Sequence, residues 1–172
     1  VLGGIGLILI LFLITPQRTA REAARRMQCS NYLKQIALAL HNYESKYGYF
    51  PPAYTVSADG ERLHSWRTLI LPFIEQQELY DTIDLSVPWN DPVNAEAYAK
   101  SIPVYTCPSD TFPKGFTSYL AVVGPERCLL ETEPRAMSDI TDGTSNTLMV
   151  VEVPKDHAVH WMCPQDIDGP LT

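Results

Sequence analysis

The rhythm of apolar and polar residues changes several times along this chain. Val1–Ile14 (VLGGIGLILILFLI) carries no polar side chain. From Thr19 onward, apolar residues fall at Ala20, Ala23, Met27, Leu33, Ile36, Ala37, Leu40, Tyr43 and Tyr47. Between them lie Arg21, Arg25, Gln28, Lys34, Gln35, Asn42, Glu44 and Lys46. Steps of three and four predict one amphipathic helix whose stripe packs on a sheet or on partner helices. Gly48 and Pro51-Pro52 end it. Ser65–Leu85 predicts a second helical region, with Pro72 in the first turn of its second half. Its core residues would be Trp66, Leu69, Ile70, Phe73, Ile74, Leu79, Tyr80 and Ile83. Val87–Pro92 reads as loop, and Asn94 is placed to cap a short helix, Ala95–Ser101. Pro103–Cys107, Phe116–Val123 and Thr147–Val153 are rich in β-branched and aromatic residues and predict strands. The last is almost wholly apolar, which places it mid-sheet. Helices precede strands with no βαβ alternation, so the fold class is α+β with an antiparallel sheet.

The opening apolar run changes where such a domain would work. As a helix it covers about 21 Å, short of a ~30 Å hydrocarbon core unless Thr15–Gln17 or upstream residues extend it. We therefore expect residues 1–17 to span or enter a membrane, 18–49 to form the spine helix, and 50–172 to form the head. A cleaved signal peptide is the weaker reading, because no basic start and no small-residue cleavage site accompany the run. The chain lacks an initiator Met and reads as a processed product or a fragment.

Charge is unevenly spread. The chain carries a net charge of −7. Arg18, Arg21, Arg25 and Arg26 cluster after the apolar run, with only Glu22 near them. The rest holds nine basic residues against nineteen acidic ones. A surface that acidic repels phosphate backbones, so nucleic acid is not an expected partner. The arginines alone would put the domain in the cytoplasm. The four cysteines argue the other way: an even count suggests two disulfides in an exported domain, with three possible pairings.

Candidate chemistry is sparse. Asp139, Asp142 and Asn146, around Gly143, form an oxygen-rich loop and a weak Ca²⁺ candidate, though an Asp-Gly turn explains it better. His157 and His160 would point to opposite faces of a strand, and His41 lies beside the helix stripe, so no metal site is expected from them. No Gly-x-Ser-x-Gly, phosphate-cradling Gly loop or Cys-x-x-Cys occurs. We expect no catalytic residues and no cofactor. Trp66, Trp89 and Trp161 are the remaining candidates, for a sugar-stacking groove, against a plainer role in packing.

Six ordered blocks carry a resemblance. AREAARRMQCSNYLKQIALALHNYESKYGYFPP, SWRTLILPFIEQQELYDTIDLSVPWNDP, PVYTCPSD, TSYLAVVGP, SDITDGTSNTLMVVEV and HAVHWMCPQDI together resemble a large bacterial prepilin-like family of unknown function. Many of its members end in His, nine residues, then Asp-Gly, and a solute-binding label is attached to some. The resemblance implies a pilin-like fold, a long N-terminal spine helix packed on a small antiparallel sheet, as in type II secretion pseudopilins. It implies an inner-membrane helix in lipid, a head outside the cytoplasm, and sister subunits or secretion machinery as partners. Because Cys29 and Cys107 lie in matching blocks, it implies that they pair, leaving Cys128 for Cys163. Two departures stand out. Ile5 occupies the position where pilin-type leaders carry Glu, and Ala158 stands where the tail motif of Asp168-Gly169 would need His. The function expected is a membrane-anchored pseudopilin-like structural subunit. The alternative is an anchored solute- or carbohydrate-binding module.

Overall fold

The computed structural model describes residues 2–140 and 148–168, with side chains from Thr19 onward. One helix dominates it. α1, Leu2–Tyr47, runs 46 residues, about 69 Å at 1.5 Å per residue. It stops where the sequence requires: Gly48 adopts φ +83 and its N–H bonds the Glu44 carbonyl at 2.7 Å. That is the left-handed C-terminal cap that glycine alone takes without steric cost.

The head is built of short pieces. β1 (Tyr54–Val56) and β2 (Arg62–Ser65) form a hairpin. α2 (Trp66–Leu69) follows directly, its first turn capped by the Ser65 hydroxyl accepting from the Arg67 N–H. α3 is Gln77–Tyr80 and α4 is Ala95–Tyr98. β3 (Phe116–Thr117) pairs antiparallel with β6 (Val159–His160). β4 (Tyr119–Val123) is the centre of a three-stranded sheet, antiparallel to β5 (Val150–Glu152) and parallel to β7 (Ile167–Asp168). The fold is thus α+β, with a long helix and small, mainly antiparallel sheets.

Several expectations are corrected. Ser65–Leu85 is not one helical stretch. Pro72 opens a separate 3-10 turn, Leu71–Ile74, and Glu75 at φ 62 breaks the chain direction before α3. Leu69, Phe73, Leu79 and Tyr80 are only half-buried as a result. Pro103–Cys107 is a 3-10 turn, not a strand: Pro103 has no N–H for a ladder, and the Tyr105 and Thr106 amides bond back to Ile102 and Pro103. Asn94 sits at a helix start but does not cap with its side chain. Its amide clamps the Asp84 backbone from both sides, and Asp91 caps instead, accepting from the Val93 N–H. The mid-sheet strand is β4, all five of whose residues are buried, whereas β5 is an edge. Covered faces abolish alternation in β4, so its five apolar residues look no different in sequence from those of an edge.

α1 meets the head through one line of side chains. Cys29, Ile36, Ala39 and Leu40 are buried there, with Tyr32, Leu33 and Tyr43 packed beside them. The stripe read from sequence overreaches at both ends. Ala20, Ala23 and Met27 are exposed, as is Tyr47, and every residue from Thr19 to Met27 faces solvent. Among the described residues no helix is long and apolar enough to cross a membrane. The apolar run Val1–Ile14 lies outside the residues whose side chains are described.

Candidate functional site

The junction of helix and head is the first place where chemistry concentrates. α1 carries Cys29 on its head-facing line, and the Pro103–Tyr105 turn delivers Cys107 opposite it. The two are joined in a disulfide across 78 residues, with Cα atoms 4.9 Å apart. Beside the sulfurs, on β5, stands Glu152, whose carboxyl is raised above the ordinary carboxylate range by burial, with Asp110 adding to it. Cys29, Cys107 and Glu152 are the one metal-ligand-like cluster among the described residues, but both sulfurs are already committed to each other. A hollow of about 400 Å³ opens beneath them, lined by Glu22, Arg26, Ser30, Leu33, Ser109 and Glu152.

A second concentration lies at the heart of the head. Arg67 is fully buried on α2 and all five of its donor hydrogens are used. Nε donates to the Trp161 carbonyl at 3.0 Å, Nη1 to Tyr119 O at 3.3 Å and Asp166 Oδ1 at 2.8 Å, and Nη2 to Cys163 O and Gln165 O at 2.9 Å each. Asp166 Oδ1 also accepts from the Trp66 indole and the Ala121 amide. The Tyr105 hydroxyl donates to the Arg67 carbonyl at 2.7 Å. One side chain therefore ties α2, β4 and the segment leading into β7. This is an organising centre. The Arg67 and Asp166 side chains are 0% and 2% exposed, so the pair is sealed from solvent. Sequence reading passed over Arg67; the available signal was a lone cation inside SWRTLILPF, an otherwise apolar stretch.

Histidines and aromatics fill the remaining interior. His160 stacks on Tyr98, ring centroids 4.0 Å apart and 6° from parallel, with Trp89 5.6 Å away. Its Nε2 donates to the Tyr98 carbonyl and its Nδ1 accepts from the Met162 N–H, a pattern only the neutral ring satisfies. Gly115, at φ +85, leaves space for this ring: a Cβ there would lie 2.7 Å from Nε2. His64 is buried too, its Nε2 donating to the Asp84 and Val87 carbonyls. Burial lowers both histidines below their ordinary 6.5. A lowered histidine leaves the unfolded chain binding more protons, so stability is complete above the ordinary value and falls as pH drops through it. Thermal melts should show the midpoint declining below about pH 6.5, and His160→Gln should flatten part of that decline. Trp66 and Trp161 are buried and Trp89 is half-buried, so the three tryptophans pack the head and do not line a groove.

Residues 18–127 match a family described as "Protein of unknown function (DUF1559)". The chain belongs to this family. No curated protein and no solved structure matches it. The DUF1559 match takes in α1 from residue 18, the hairpin, Arg67 and both bridged cysteines. It ends before Cys128, Glu152 and Asp166.

The second disulfide is not formed: Cys128 and Cys163 are free thiols. They occupy different neighbourhoods, Cys128 near Arg135 and Glu44, Cys163 near Arg67, Asp166 and Arg62. Burial pushes the Cys128 thiol up to about 12 and raises Cys163 as well, so neither is poised as a thiolate. Of the Ca²⁺ candidates, Asp139 ends the 3-10 turn Met137–Asp139 and accepts from the Ser138 hydroxyl. Asp142 and Asn146 lie outside the described residues. His157 is exposed beside Asp156, and His41 meets Phe50 edge-on.

Proposed function

We propose that this DUF1559 protein is a membrane-anchored, pseudopilin-like structural or interaction subunit of the cell envelope, its head outside the cytoplasm. One observation supports the reading above others. The side chains that α1 buries against the head run from Cys29 to Leu40, with aromatic contacts to Phe73 continuing to Tyr47, while Ala20–Met27 is exposed at every position, in line with the apolar run that precedes it. A helix stretch that buries none of its side chains against its own head is placed to meet lipid or sister helices. The same division of α1, one part packed on the head and one part exposed, supports the pilin-like reading. The Cys29–Cys107 bridge accords with an oxidising compartment. The chemistry on the described residues is a disulfide and a buried ion pair, both of which fasten the fold, so the role we infer is mechanical.

Ala23→Cys in the full-length protein tests this. Under mild oxidation in membranes, the variant should form cross-linked multimers that the parent, with its buried Cys128 and part-buried Cys163, does not. Monomers alone from a membrane-bound variant would speak against assembly. A second reading, an anchored carbohydrate-binding module, rests on the exposed pair Tyr47 and Tyr49, stacked at 6.4 Å and 26°. It predicts saturable binding heat with oligosaccharide, lost in Tyr47→Ala.

A further inference from the structure

We infer that the arginine face of α1 at Arg21, Arg25 and Arg26 is a binding site for anionic phospholipid headgroups. The inference rests on the membrane-anchored reading above and adds a lipid chemistry to it. Arg21, Arg25 and Arg26 are all exposed, on a stretch with no buried residue from Ala20 to Met27. Only Arg25 is tied to a carboxylate, Glu22, at 2.8 Å. Arg21 and Arg26 form no ion pair with any described residue. The positions are not scattered. Arg25 and Arg26 lie four and three residues before Cys29, so they continue the head-facing line of α1 downward. The opposite face holds Ala20, Ala23, Ala24 and Met27, which gives this segment a cationic side and a small apolar side.

The hollow under the head confirms which way the cationic side looks. Arg26 lines it together with Ser30 of α1 and Ser109 of the head. Two acids, Glu22 and Glu152, share that hollow. Glu22 is engaged by Arg25, and Arg21 lies five residues before Arg26 on α1 and does not line the hollow, so the cationic excess lies toward the apolar run. Height agrees as well. Arg21 follows Ile14 by about 10 Å of helix and Arg26 by about 18 Å, which spans the headgroup layer and the water just above it. Guanidinium forks pair with phosphate oxygens bidentately, and long arginine stems bend toward an interface. The rest of the chain is strongly acidic and would be repelled by the same surface, so these arginines set the head's standoff from it. Each should raise association with an anionic surface roughly fivefold at moderate salt.

The test uses full-length protein in nanodiscs of phosphatidylcholine with a minority of phosphatidylglycerol, and native mass spectrometry to count the lipids that stay bound. The parent should retain phosphatidylglycerol enriched roughly tenfold or more over its share of the disc. R21E/R25E/R26E should enter discs equally well, keep the Cys29–Cys107 bridge, and retain the two lipids in their bulk ratio. A parent that retains them in the bulk ratio, or a variant as enriched as the parent, overturns the inference and leaves the anchor reading intact. Enrichment abolished by added inorganic phosphate would assign the arginines to a free oxyanion and overturn it too. So would a dimer dissolved by the triple variant without any lipid preference, which would name a second copy as the occupant. Protein that enters no disc overturns both readings.

Discussion

Arg67→Met should destabilise the head by about 3–5 kcal/mol at neutral pH, the cost of leaving one member of a buried ion pair without the other. That is a large share of the roughly 5–15 kcal/mol that holds a domain of this size together. The cost has named sources. Asp166 would keep only the Trp66 indole and the Ala121 amide, and the carbonyls of Trp161, Cys163 and Gln165 would lose their donor. A buried carboxylate without its cation lowers its energy by taking up a proton, so its folded-state pKa rises above the unfolded value. Stability from such a group is present at low pH and lost as pH rises through the folded pKa. The variant should therefore be closest to the parent near pH 4 and fall further behind toward pH 7, measured by urea denaturation at both. Arg67→Lys keeps the charge but cannot reach five acceptors at once, and should fall between the two. A variant within about 1 kcal/mol of the parent at pH 7 would mean that the pair is dispensable.

Removing the staple is the second large effect. C29S/C107S frees a loop of 78 residues' separation, which by chain entropy costs roughly 4–5 kcal/mol. The helix would still hold the head through Ile36, Ala39 and Leu40, all buried, so the expected product is a folded but weakened head. Denaturation of the parent with and without a thiol reductant should reproduce the difference. Because the change acts mainly on the unfolded chain, the double variant and the reduced parent should share one midpoint. If reduction leaves the midpoint unmoved, the bridge contributes nothing beyond the packing around it.

What the sequence disclosed and what it hid divide along physical lines. The three-and-four spacing revealed α1 and Gly48 its end, because a long helix repeats its signal over many turns. The hairpin Tyr54–Ser65 escaped notice, although Asp59-Gly60 marks its turn, with Gly60 at φ +84. Its strands are three and four residues long and leave little alternation to detect. Trp66, Ile70, Ile74 and Ile83 were correctly placed in the core, yet the prolines and Glu75 cut their region into single turns. The Arg67–Asp166 pair spans 99 positions, and no local pattern couples residues so far apart. Cys29 with Cys107 was reached through family likeness, whereas Cys128 and Cys163 paired only by elimination, which geometry does not respect.

Cys29–Cys107 fastens the head to α1, and the central proposal is that the near end of this helix enters a membrane. Fractionation of cells expressing the full-length protein, with thiols alkylated before lysis, tests this most directly. The protein should sediment with the inner membrane, be digested at its head by protease added from the outside, and show two alkylated thiols per chain. Protein recovered in the cytosol with all four thiols alkylated would contradict it.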